Sequence, residues 1–146
     1  MKKFVFTLQS LYDMKIRTEE QQKIQMKKIQ DRQLKLNEEL NVLKKSFENT
    51  KEKHSKRLKE GVLSRELNQY SQYFKDLTSA ITRQKGMIAQ AEREKQKLLE
   101  EQIETKKEIK TLNKLRDSQY QAYLHELKIE EEKIMGDLVS YKETIK

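Results

Sequence analysis

From Ile29 onward one set of positions recurs at alternating steps of four and three: Ile29, Gln33, Leu36, Leu40, Leu43, Phe47, Thr50 and His54. A second set does the same: Leu67, Tyr70, Phe74, Leu77, Ile81, Gln84, Ile88, Ala91, Lys95 and Leu98. The residues between are mostly Lys, Glu, Gln and Arg. Such spacing places one apolar stripe along each of two helices and is the seam of a coiled coil. Between the stripes lies Gly61, one of three glycines in a chain without proline. Two stripes separated by one break predict an all-α fold, a long two-helix antiparallel coiled-coil hairpin. Helix one is expected over about residues 6–58, the turn over 59–63 and helix two over about 64–144, in a single coiled-coil domain.

Register follows from the same positions. In an antiparallel hairpin centred near residue 60, the numbers of facing residues have a nearly constant sum. Leu40 then faces Ile81, Leu43 faces Leu77, Phe47 faces Phe74 and Thr50 faces Tyr70, so that apolar meets apolar. Leu40, Leu43, Phe47, Tyr70, Phe74 and Ile81 are the predicted seam. Outward, Ile29 meets Ala91, Met26 meets Lys95, Tyr12 meets Ile109 and Leu8 meets Leu112. Between the apolar stretches, residues 13–25 face 96–108 and both are polar, which predicts a weak, bendable interval.

At the turn, Gly61 is suited to the positive φ that closes a helix. Lys56, Arg57 and Lys59 complement the dipole at the end of helix one. Ser64 is the expected N-cap of helix two, with Glu66 in its first turn. Gly86 and Gly136 lack such surroundings and read as tolerated interior residues. The arms are unequal: Val5 is expected to face Arg116, so helix two should overhang after about residue 117. The overhang has its own stripe of Tyr120, Tyr123, Leu127, Ile134, Leu138, Tyr141 and Ile145. A long unpaired apolar stripe is expected to pack on another subunit, to dimerise, or to fray in isolation.

Composition narrows the function. Of 146 residues, 38% are charged and 34% apolar, enough apolar material for a seam but not for a layered core. Cysteine is absent, which excludes disulfides and thiol chemistry. The short apolar patch at Phe4–Phe6 is neither a signal peptide nor a span, so a cytoplasmic protein with no membrane insertion is expected. Residues 1–60 carry a net charge of +7 and residues 61–146 only +1. The basic arm reads as a solvated face or as a docking surface for an acidic protein. Nucleic acid is not expected, because no recognition module or stacking surface accompanies the charge. No glycine-rich phosphate loop and no His/Cys cluster occur, so no catalytic residue, metal site or cofactor is predicted. His54 reads as a seam residue, and the Glu130-Glu131-Glu132 run as a solvated helix face.

Three stretches carry a resemblance. The opening "FVFTLQSLYDMKIRTEEQQ" resembles the start of the flagellar export protein FliJ family. "GVLSRELNQYSQYFKDLTSAITRQKGMI" is similar to its turn region, and "KTLNKLRDSQYQAYLHELKIEEEKIMGDL" to its Leu-x-Lys-Leu and Tyr segment with the acidic tail. The resemblance runs in order through nearly the whole chain. It implies a non-enzymatic, cytoplasmic coiled coil of the flagellar type III export apparatus, similar to the rotor stalk of F- and V-type ATPases. It also implies peripheral attachment at the cytoplasmic face of the inner membrane.

By the same resemblance, the open end enters the hexameric export ATPase FliI. Phe4, Phe6, Leu8, Tyr120, Tyr123, Leu127 and Ile134 are its candidate contacts. The turn end engages the export gate FlhA, with Tyr73, Leu77, Ala80 and Gln84 as candidates. Export chaperones and FliH complete the implied partners. The alternative is a generic coiled-coil scaffold or tether unrelated to export.

Overall fold

The computed structural model describes residues 2–145 and contains two helices, α1 (Gln9–Glu60) and α2 (Ser64–Ile145), with no strand among the described residues. Good helix formers and the absence of proline allow such runs. The fold is the all-α helical hairpin that the two stripes predict.

The loop between the helices is only residues 61–63, shorter than the predicted turn. Gly61 takes φ 96°, a conformation that a Cβ disfavours. The Leu63 carbonyl accepts the Leu67 N–H at 3.1 Å, so Leu63 occupies the cap position and Ser64 is already helical. The expected Ser64 cap is corrected accordingly. Helix ends at Glu60 and Ser64 centre the hairpin at Val62 rather than residue 60. Tyr70 therefore has the ring of His54 at 4.7 Å, half a heptad beyond its expected partner Thr50. Phe47 does meet Phe74, with ring centroids 5.3 Å apart. Both registers coexist because each seam side chain inserts between two on the facing helix.

Glycine substitutions separate the turn from the helix interiors. Gly61→Ala is expected to cost more than about 1 kcal/mol through its positive φ. Gly86 lies within α2, where an added Cβ meets open space. Gly86→Ala is therefore expected to stabilise by about 1 kcal/mol. Urea denaturation followed by circular dichroism measures both, and opposite signs are the expected result.

The chain divides into two compact units, one formed by the residues up to Gln21 with those from Glu101 onward, the other Gln22–Glu100. The divisions fall inside the two polar stretches. In the second unit, Met26, Leu77, Ala91 and Leu98 are buried, and Leu40, Leu43, Phe47, Tyr70, Phe74 and Ile81 are half-buried. Arg32 pairs with Glu94 across the helices. The Gln33 amide donates to Glu92 at 2.7 Å. Gln96 and Gln33 together hold the Glu92 carboxyl below the usual carboxylate range. In the first unit, Phe6, Ile109 and Leu112 are buried, Lys15 pairs with Glu108, and Arg116 lies over the Tyr12 ring.

Helix α1 starts three residues later than predicted. The Phe6 carbonyl accepts the Gln9 N–H at 3.1 Å and the Leu8 carbonyl accepts the Tyr12 N–H at 2.9 Å. Residues 2–6 precede this turn without helical structure. Phe4 and Phe6 turn inward while Val5 is 74% exposed, the period-two alternation of extended chain. A helix through Phe6 would have carried these side chains around the axis instead of onto one face.

Candidate functional site

Two surfaces are built by the two units. At the turn end, Arg57 in the last turn of α1 donates two hydrogen bonds, at 3.1 and 3.2 Å, to the Glu66 carboxylate in the first turn of α2. Both bonds come from Arg57 Nη2, and this charge-assisted pair closes the hairpin beside Gly61. Behind it Phe47, His54, Tyr70 and Phe74 form an aromatic cluster, with His54 5.7 Å from Phe74 as well. His54 Nδ1 is buried without a hydrogen-bond partner. Beside the cluster a groove of about 610 Å³ is lined by Thr50, Lys53, Arg57, Gln69, Tyr70 and Tyr73.

The Tyr73–Leu77–Ala80–Gln84 stripe does not face outward as a whole. Tyr73 is exposed and Ala80 half-buried, but Leu77 and Gln84 are buried in the seam. Gln84 donates to the Leu36 carbonyl at 2.9 Å and to the Glu39 carboxylate at 3.1 Å. The spacings of four, three and four carry both heptad seam positions and the flanks beside them. Only the flanking members remain accessible. The Gln84 contact was signalled by a Gln at a seam position, where a long amide must find a partner or leave a polar group unsatisfied. The Arg57–Glu66 clasp had no such signal, because charges abound on both helices.

At the open end, residues 2–8 lie along α2 as a strap. The Phe4 ring meets Tyr120 edge-on at 5.2 Å and Tyr123 at 5.6 Å. The Tyr123 hydroxyl donates to the Lys2 carbonyl at 2.5 Å, and the Gln119 amide to Thr7 Oγ1 at 3.4 Å. Each aromatic pair contributes on the order of 1 kcal/mol beyond its buried area. Phe6 is 5% exposed and Leu8 half-buried. Of the candidate ring contacts, Phe4, Phe6, Tyr120 and Tyr123 therefore already touch or bury within the chain.

The expected onset of the overhang near residue 117 is corrected by this strap. Extended chain advances about 3.3 Å per residue against about 1.5 Å in a helix. Residues 2–6 thus reach beyond the point where a helical start would have ended. Leu127 is still half-buried, and α2 is exposed throughout from Lys128 to Ile145, with Ile134 at 53%.

No group of residues suited to a metal ion occurs among the described residues, nor a helix long and apolar enough to cross a membrane. A helical hairpin with an aromatic cluster near its turn and an aromatic strap at its open end defines a coiled-coil protein. The family described as Flagellar FliJ protein matches residues 4–142, and the chain belongs to that family. It is accordingly a non-enzymatic component of the flagellar export apparatus. Comparison with curated proteins and with solved structures gives no match.

Proposed function

We propose that the chain is the central stalk of the flagellar export ATPase and links it to the export gate and to escort chaperones. It works in the cytoplasm, held at the inner face of the membrane by its partners, FliH among them. The observation that carries this reading is the fully exposed end of α2. Between Lys128 and Ile145 it displays Ile134, Met135, Leu138, Val139, Tyr141 and Ile145 to solvent. A helix with that much apolar surface is suited to burial in a partner, and a ring of six ATPase subunits offers a central channel into which a single helix end fits. Co-sedimentation of the full chain with the FliI hexamer tests the reading. Recovery of the chain with the hexamer supports it, and equal recovery of a chain ending at Leu127 overturns it.

The turn end is the proposed gate contact, with Tyr73 as its anchor and Ala80 beside it. Aromatic anchors at interfaces are often worth more than 1 kcal/mol on truncation. Tyr73→Ala is expected to weaken binding to FlhA about tenfold or more while the melting curve stays unchanged. Leu77→Ala and Gln84→Ala are expected to act first on hairpin stability, since both side chains are buried. Calorimetric titration with the cytoplasmic part of FlhA, alongside thermal melts, separates the two effects.

A further inference from the structure

We infer that residues 2–5 form a releasable tip that occupies the Tyr120–Tyr123 face of α2 and is displaced when the open end docks. This rests on the ring reading for its partner but not for its mechanics. The tip is anchored by a buried residue, Phe6, and joined to α1 by the turn at Thr7–Leu8, where the Gln9 N–H meets the Phe6 carbonyl. That turn is a hinge, because the anchor holds while residues 2–5 carry no backbone-to-backbone hydrogen bond to α2.

What holds the tip down is small: the Phe4 ring against Tyr120 and Tyr123, and the Lys2 carbonyl on the Tyr123 hydroxyl. Lys2, Lys3 and Val5 are exposed. The face beneath is the first part of the stripe that continues through Leu127 to Ile134 and Leu138. The tip therefore covers the base of the surface whose far part is open. A partner surface advancing along α2 from its free end meets the tip at Tyr123. It gains both tyrosines by lifting the tip, and the freed Phe4 becomes a second apolar contact at the same end. The tip is thus a self-ligand that raises the threshold for docking. As a tethered ligand it competes at an effective concentration on the order of millimolar.

The test has two arms. In the first, a fluorescent peptide of residues 1–8 is titrated by anisotropy into the full chain carrying Phe4→Ala and into the unsubstituted chain. Binding to the Phe4→Ala chain at least tenfold tighter, lost on adding Tyr120→Ala, is the expected result. No binding to the Phe4→Ala chain, or equal binding to both, overturns the tip as a releasable ligand. In the second, Lys2→Cys/Glu126→Cys, which keeps both tyrosines and places the second cysteine one turn beyond Tyr123, is bridged by a short maleimide linker with a reducible spacer, which is selective in a chain without other cysteines. The bridged form is expected to need at least tenfold more protein for half-maximal ATPase stimulation, with recovery on reduction. Equal stimulation by bridged and reduced forms overturns displacement on docking. Peptide binding together with no stimulation by any form, the unsubstituted chain included, leaves the tip standing as a self-ligand and sinks the ring reading.

Discussion

A chain ending at Leu127 is expected to melt like the full chain and to lose stimulation of the hexameric ATPase. The described residues that the cut removes, Lys128 to Ile145, are exposed throughout, so among them no buried seam contact is lost. It preserves Tyr120 and Tyr123 and with them the strap. Helix α2 would fray by about a turn at its new end, a local effect in a hairpin whose buried side chains lie between Phe6 and Leu112. A chain ending at Asp117 is a different molecule. It loses the Phe4–Tyr120, Phe4–Tyr123 and Lys2–Tyr123 contacts, and the strap is expected to detach. Hydrogen exchange at residues 2–12 reads that detachment. ATPase assays with both truncations and matched melts check the expectation. Full stimulation by the chain ending at Leu127 would place the ring contact elsewhere.

The second large effect concerns stability. Leu98 is 5% exposed and Leu34 is 61% exposed, though both are leucines in long helices. Leu98→Ala is expected to cost about 2–5 kcal/mol, through lost transfer energy and the space left in the seam. Leu34→Ala is expected to change stability by no more than about 0.5 kcal/mol. The narrow seam sharpens the contrast, since few side chains are buried and each carries a large share of the total. Urea titrations at matched conditions give both values. Similar midpoints for the two variants would mean that the buried face of the helices is not the one described.

Much of the fold was legible because heptad spacing leaves one stripe per helix and a glycine with positive φ leaves few places to turn. Leu40, Leu43, Phe47, Tyr70, Phe74 and Ile81 are half-buried at the helix–helix contact that their spacing predicts. The site was less legible. Leu77 and Gln84 share a stripe with Tyr73 and Ala80 by spacing, yet they turn inward. Steps of three and four advance a helix by 300° and 400°, so one such run straddles the seam and its flank. The Phe-Val-Phe start carries a two-residue alternation, too short to be told from the first turn of a helix.

The amino-acid sequence by itself determined two helices, a single turn at Gly61, the face each helix buries, and the family. The first three depend on local propensity and on the period of the apolar positions, which act within a few residues along the chain, and the family rests on the match of residues 4–142. Tertiary structure alone decided the length of the loop, the shift of the hairpin centre to Val62, and the strap that carries pairing on to Tyr123. Those features depend on which distant side chains meet: Phe4 reaches Tyr120 only because the residues before Gln9 stay extended, and nothing near Phe4 in the sequence names that partner.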